Sequence, residues 1–434
     1  MKKIFFSIFT LFIVLFVAAQ DDVYPAKPYA GKLFIINANI HVGNGQVIEN
    51  ATIEIENGKI VQVGQNVAVV QGDSKTIDAK GKQVYPGLIL PVTDLGLKEI
   101  AESVRGSNDF QELGDFNPSI RSIVAYNTDS KIIGTLRANG ILLAGVTPQG
   151  GTISGSSSVV QLDAWNWEDA AYKMENGIHV NMPTFIIRPR RFGGRAAQPE
   201  ADPTKAALEK IDEIKNFFRQ AKAYLQETTH AETNLKFEAV KGLYDKKQKL
   251  FVHGDQVKQM LVAIDFVKEF GFDVVIVGGS ESFLIADLLK QNNISVILHE
   301  EHSLPAMEDD DVDQPYKTPA QLQKAGVLFA LNDEHEESRF RNLMFNAGTA
   351  AAFGLTKEQA LQAITLNAAK ILGIDDRTGS IEAGKDANIV IATGDILDMR
   401  TSIITNAFIQ GREVSLENKQ TQLYQRYLTK YGLK

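Results

Sequence analysis

The chain has 434 residues, 44% of them hydrophobic and 23% charged, with a formal net charge of −8. This is ordinary globular material, long enough for one large domain and a smaller one, and it is neither disordered nor fibrous. The acidic balance argues against nucleic acid or an anionic membrane surface as a partner, so a small molecule or small peptide is the expected ligand, and homo-oligomerisation is left open.

Lys2 and Lys3 precede an apolar run from Ile4 to Val17, and Val17-Ala18-Ala19 supplies small residues for cleavage before Gln20. Residues 1–19 therefore read as a signal peptide, since the run is shorter than the ~20 residues that cross a bilayer. The expectation is an exported protein, periplasmic or secreted, with no transmembrane anchor once this segment is removed. The sequence contains no cysteine, which excludes disulfides and a lipid-anchored cysteine.

From residue 29 to 85, short β-like runs such as Leu33-Phe34-Ile35-Ile36 and Thr52-Ile53-Glu54-Ile55 alternate with the turn pairs Asn44-Gly45 and Asn57-Gly58. This pattern predicts meandering antiparallel strands. A second β-rich stretch lies within 374–417, with Asn388-Ile389-Val390-Ile391-Ala392 and Ala407-Phe408-Ile409, so the two ends of the chain are expected to complete one small β-sandwich. Residues 418–434 read as a C-terminal helix.

Between these ends, residues 86–373 alternate strand-like and helical patterns, the rhythm of an α/β protein with a parallel sheet. The clearest strands are Leu250-Phe251-Val252, Val274-Val275-Ile276-Val277, Val296-Ile297-Leu298 and Val327-Leu328-Phe329-Ala330. Successive units of this size predict a (β/α)8 TIM-like barrel. A charged insertion, 204–248, carries Leu208, Ile211, Ile214 and Phe218 at helical spacing. It reads as an amphipathic helix packed outside the barrel, with a lid as the alternative.

Several segments of this stretch are candidates for binding. Gln149-Gly150-Gly151 and the serines up to Ser158 form a Gly/Ser-rich segment that reads as a tight connection between strands or, less simply, as an anion cradle. Trp165 and Trp167, flanked by acidic residues, suggest either packing or a ligand platform. Arg188 and Arg190, with Arg191 and Arg195, have the chemistry to pair with a substrate carboxylate or with the acidic run Glu308–Asp313. That run reads as a solvated loop. His299-Glu300-Glu301-His302 follows a strand, where its two histidines face opposite ways unless a turn brings them together.

Three segments carry a resemblance: Tyr85-Pro86-Gly87-Leu88-Ile89, then Leu361-Gln362-Ala363-Ile364-Thr365-Leu366-Asn367-Ala368-Ala369-Lys370, then Gly379-Ser380-Ile381-Glu382-Ala383-Gly384-Lys385-Asp386. In this order and at these separations the chain resembles the amidohydrolase superfamily, in particular its imidazolonepropionase-like metal-dependent hydrolases. The resemblance implies a barrel with a small β-sandwich, and hydrolysis of carbon–nitrogen bonds by water activated on a divalent metal, zinc first. It also implies ligands in a His-x-His pair after the Pro-Gly-Leu-Ile strand, a His after each of strands five and six, and an Asp after strand eight. Here those positions fall on Val92 and Asp94, His253, Gly278 and Asp333. Val92 and Gly278 cannot bind metal, so His253 and Asp333 survive.

A catalytic zinc takes three protein ligands plus water, which makes Asp94, His299 and His302 the candidates to complete the set. Asp333 is also the expected acceptor of the water's proton, although Asp333-x-x-Glu336 has the form of a helix-capping box. Two functions follow: a hydrolase of small amides, amino-acid derivatives or dipeptides with a rebuilt site, or a non-catalytic barrel that binds a ligand or partner without metal.

Overall fold

The structure is a computed structural model and describes residues 24–70, 72, 74–99, 109–185, 202–305, 309–333 and 339–433. The expected signal peptide at 1–19 lies outside these residues. So do Arg188, Arg190, Arg191 and Arg195, together with Glu308 and the Glu336 of the capping box.

Five strands come first: β1 (Lys32–His41), β2 (Val47–Glu56), β3 (Lys59–Gly64), β4 (Ser74–Asp78) and β5 (Gln83–Pro86). Eight more form the barrel: β6 (Leu88–Thr93), β7 (Ile141–Val146), β8 (Ile153–Gln161), β9 (Ala171–Asn181), β10 (Lys249–Gly254), β11 (Val274–Gly278), β12 (Ser295–Leu298) and β13 (Phe329–Leu331). Then β14 (Ile389–Ala392), β15 (Ile404–Ile409) and β16 (Arg412–Glu413) return to the first sheet, whose order is β16-β15-β14-β5-β1-β2-β3, with β4 beside β1. Antiparallel pairing of β5 with β14 joins the two ends of the chain. The Asn57-Gly58 turn behaves as its sequence demands: both residues have positive φ, +50° and +76°, and Glu56 pairs with Lys59 across the hairpin. Inward residues of this sheet, Ile35, Ile40, Ile53, Ile55, Ile389, Ile391 and Phe408, make one apolar core.

The second sheet runs β13-β12-β11-β10-β9-β8-β7-β6. β6, β7, β8 and β11 are buried along their whole length, the mark of strands covered on both faces. Its seam is bridged where the Val92 N–H donates to Asn332 Oδ1 at 3.3 Å. The fold is thus a TIM-like barrel with a composite β-sandwich.

One feature departs from a uniform parallel barrel: β8 runs antiparallel to both β7 and β9. Only residues 147–152 separate β7 from β8, whereas a parallel crossover needs about a dozen residues. Gly150 and Gly151, at φ +81° and +63°, make the reversal. The expected Gly/Ser-rich loop is therefore a tight turn followed by strand, with Ser154 to Ser158 inside β8.

The insertion forms a long helix, Pro203–Gln226, started by Asp202, which accepts from the Thr204 N–H at 2.9 Å, and by Pro203 in the first turn. Ile211, Ile214 and Phe218 are buried as expected, but Leu208 is 53% exposed and the stripe runs through Ala207 and Ala221 instead. Lys215 and Arg219 pair with Asp265 (3.1 Å) and Glu269 (2.6 Å) of the helix Val257–Phe270, so the helix is fastened to the outside of the barrel. The C-terminal helix Lys419–Tyr431 leans on the helix Lys131–Ala138, with Thr135 donating to Gln420 at 3.1 Å.

Sandwich and barrel are tied by Asp386, a residue of the Gly379–Asn388 segment. Only 4% exposed, it accepts from the Tyr172 hydroxyl of β9 and is paired with Lys59 at 2.5 Å and Arg377 at 3.1 Å. The Arg377 guanidinium lies 3.9 Å over the Tyr172 ring. Burial opposes the charge on Asp386, but Lys59, Tyr172 and Arg377 together hold its pKa below the ordinary value.

Candidate active site at the barrel mouth

The C-terminal ends of β6, β7, β9 and β10 surround an open cleft of about 390 Å³ lined by Val92, Thr93, Asp94, Lys98, Thr147, Asn181 and His253, among others. Strand alternation puts His253 here: it is the last residue but one of β10, paired with Asn181 of β9 and Val277 of β11. Asp94 is 7% exposed, just past the end of β6.

His253 is held from below by a residue the sequence reading missed. Its Nε2 lies 2.8 Å from Nδ1 of His179, in the middle of β9, and His179 Nε2 lies 2.8 Å from Ser157 Oγ of β8. The single Ser157 proton goes to Asn176 Oδ1 (2.9 Å), with Gly177 O (3.4 Å) on the same side, so Ser157 must accept from His179 Nε2–H. His179 is 1% exposed and stacked on Phe251 at 4.6 Å. Burial first, and the neighbouring His253 second, push its pKa well below the usual imidazole value. It is neutral, its Nδ1 is an acceptor, and His253 donates its Nε2–H to it. The basic nitrogen of a neutral His253 ring is therefore Nδ1.

Asp333, fully buried after β13, accepts from Asn346 Nδ2 at 3.0 Å. Asn346 in turn accepts the His302 N–H at 3.1 Å. Its partner from sequence reasoning, Glu336, is not among the described residues, and Asn346 of the helix Leu343–Ala352 is the polar group found beside it.

His299 and His302 do not come together. His299 Nε2 lies 3.4 Å from Asp255 Oδ1, at the turn after β10. His302 points the other way, with Nε2 2.8 Å from Thr349 Oγ1, in a hollow lined by Phe345, Phe353 and Leu397. Burial, then Arg339, lower its pKa. The two candidate ligands thus face different neighbours, as histidines on opposite faces of a strand end do.

The metal implied by the family resemblance does not fit what is present. Among the described residues no three His, Cys, Asp or Glu side chains are arranged to hold a metal ion. Val92 is hydrocarbon, Gly278 has no side chain, Nε2 of His253 is committed to His179 and one Asp333 oxygen to Asn346. Asp94, His253, Asp333, His299 and His302 are near the mouth but do not form one ligand set.

Trp165 and Trp167 are not at the mouth. Because β8 runs backwards, its last residue Gln161 pairs with Leu143 near the start of β7, and the loop that follows sits at the opposite end of the barrel. Trp165 is 64% exposed with Tyr24 at 5.7 Å, and Trp167 packs on the core. The work of that loop is structural: Asp163 accepts from Arg137 (2.5 Å), Arg412 (3.0 Å) and the Ala26 N–H (2.8 Å). In the described part of the acidic run, Asp311 pairs with Lys317 and accepts the Asp313 N–H at 3.2 Å.

A family model described as "Amidohydrolase family" matches residues 200–414. The imidazolonepropionase of Thermoplasma volcanium is 24% identical over 389 residues, covering 82% of this chain and 88% of that protein. The imidazolonepropionase of Shewanella oneidensis is 51% identical over a segment of 74 residues, 16% of this chain and 18% of that protein. Among solved structures, an amidohydrolase from Thermotoga maritima superposes with a TM-score of 0.74 at 26% identity, covering 88% of this chain and 99% of its own.

Proposed function

The chain belongs to the amidohydrolase superfamily, and from that premise we propose that it hydrolyses the carbon–nitrogen bond of a small amide bound in the mouth cleft. The observation that carries this reading is the meeting of Asp94, Lys98 and His253 in one cleft. Asp94 and His253 Nδ1 are acceptors for amide N–H groups. Lys98 is a cation for a substrate carboxylate, which favours cyclic amides with an acid side chain, N-acyl amino acids or dipeptides. The likeness to imidazolonepropionases supports the cyclic-amide class. The Lys2-Lys3 and Ile4–Val17 segment supports an exported setting for this activity.

The test is a hydrolysis screen of cyclic amides, N-acyl amino acids and dipeptides with the full chain and its His253→Ala variant. Turnover of one class, lost in the variant, is expected. A folded protein that turns over none of the three classes sinks the reading.

A second reading is favoured by one observation, the engagement of His253 Nε2 and of one Asp333 carboxylate oxygen within the protein. On that reading the same cleft binds a small ligand without chemistry. Thermal stabilisation by a member of the same panel, without turnover, would identify it.

A further inference from the structure

The C-terminal helix Lys419–Tyr431 is well started and well ended. The Asn418 side chain accepts the Thr421 N–H at 2.9 Å, Thr421 Oγ1 accepts the Asn418 N–H at 3.0 Å, and Gly432 closes the last turn at φ +63°. Yet the described residues bury none of its side chains, and only Gln422 and Leu428 are half-buried. A helix of this length is marginal in water without a packed face, so its stability depends on a surface that covers it.

Successive residues of an α-helix turn by about 100°, which places Leu423, Tyr424, Tyr427 and Tyr431 on one stripe. They are 37%, 62%, 53% and 64% exposed. Lys419, Arg426 and Lys430 fall in a row along one edge of that stripe. The Tyr427 and Tyr431 rings lie 6.3 Å apart, and Lys430 Nζ is 5.7 and 5.3 Å from their centroids. From Lys419 to Lys434 the sequence has four cations and no Asp or Glu.

More exposed rings stand nearby. The first turn of the helix borders a hollow of about 250 Å³ that Pro25 and Ala164 also line. Their chain neighbours Tyr24 and Trp165 are 65% and 64% exposed and pair at 5.7 Å. The Trp165 loop is at the end of the barrel opposite the mouth, so a surface docked here leaves the cleft open.

We propose that the helix Lys419–Tyr431 lies flat on an anionic phospholipid surface, with its tyrosine stripe at the boundary of acyl chains and headgroups. An aromatic stripe edged by cations suits that boundary: the rings enter it, while hydroxyl and ammonium groups stay at the level of water and phosphate. Charge decides against a second copy of the chain. In an antiparallel pair of these helices the two cationic edges meet, with no carboxylate on either. An acidic peptide would satisfy the cations but leaves the tyrosine stripe without a use. The chain as a whole carries −8, which opposes an anionic surface, but salt screens charges farther than about 8 Å away. Each Lys or Arg held at such a surface strengthens binding roughly fivefold.

The experiment is co-sedimentation of the full chain with vesicles of phosphatidylcholine alone and of phosphatidylcholine and phosphatidylglycerol in equal parts. Wild type is compared with a Tyr424→Ser, Tyr427→Ser, Tyr431→Ser variant and an Arg426→Gln, Lys430→Gln variant. All substituted positions are exposed, so melting temperatures near wild type are expected. All three proteins share one N-terminus, so residues 1–23 cannot produce a difference between them. Wild type should bind the mixed vesicles and not phosphatidylcholine alone, and each variant should bind at least ~10-fold more weakly.

No binding by wild type, equal binding by all three proteins, or equal binding to both vesicles overturns the proposal. A dimer in sedimentation velocity that is lost in the tyrosine variant assigns the stripe to a second copy and overturns it as well. So does binding to soluble poly-glutamate that survives the tyrosine substitutions, which points to an acidic protein partner.

Discussion

His253 Nε2 lies 2.8 Å from Nδ1 of His179, a histidine that is itself only 1% exposed. The contact fixes which nitrogen of His253 carries hydrogen, and it depends on Ser157 and Asn176 two steps further inside. Replacing His179 by Phe keeps the ring stacked on Phe251 but strands the His253 Nε2–H and takes from the Ser157 oxygen the donor it accepts from. The expected cost is about 1–3 kcal/mol of unfolding free energy in urea, with a fall in kcat/KM on any substrate found. Unchanged stability and kinetics in a folded variant would show that the chain of contacts does not matter.

Gly278→Ala tests the crowding at the end of β11. The new methyl meets His299 and Asp255 within 2.8 Å at a backbone angle that L-residues avoid. A loss of roughly 1–3 kcal/mol is expected from strain and displaced side chains. A melting temperature equal to wild type would mean that the pair moves aside freely.

Asp386→Ala should be among the most damaging single changes outside the mouth. It leaves Arg377 and the Tyr172 hydroxyl without their buried carboxylate at the joint of sandwich and barrel. Because the Arg377 and Lys59 side chains are 38% and 47% exposed, water takes over part of their loss, and the expected cost is about 1–3 kcal/mol, chiefly from the stranded Tyr172 hydroxyl, readable as a shift in the denaturation midpoint. A shift of less than ~1 kcal/mol would place the stability of the joint elsewhere.

His41 of β1 and Glu358 of the helix Lys357–Ala363 give the same joint a pH dependence. His41 Nδ1 lies 2.6 Å from Glu358, its Nε2 3.0 Å from Gln83, and its ring stacks on Tyr85 at 4.5 Å. Burial works against its charge, but the hydrogen bond to Glu358 and the Glu358 charge outweigh it and raise the pKa. A raised imidazole stabilises fully below its unfolded value of about 6.5 and loses that contribution as pH climbs through the folded value. Glu358→Gln should therefore cost up to ~1 kcal/mol near pH 6 and little near pH 9. A cost that is the same at both pH values would remove His41 as the cause.

The exported form should begin at Gln20. Intact-mass analysis of the protein from its native host would show loss of residues 1–19. A mass that includes them would refute cleavage at this site.

The sequence by itself determined the architecture and its joints, because turn pairs, strand periodicity and the Pro86-Gly87 and Gly379–Asn388 segments act locally. It also located His253 and Asp333, each at the end of an apolar run, and showed that Val92 and Gly278 lack donor atoms. It could not set the direction of β8, which was decided by the six-residue turn between two buried strands, and that reversal removed Trp165 and Trp167 from the mouth.

Nor could it find His179, which sits inside a strand among Ile178 and Val180 and acquires a role only when β10 lies beside it. Asp255 and His299 are 44 residues apart in sequence. Only the packing of β10, β11 and β12, with a glycine between their ends, brings carboxylate to imidazole. Which side chains exist is written along the chain, but which of them share a volume is fixed by strand order, strand direction and steric exclusion, and those are properties of the folded barrel.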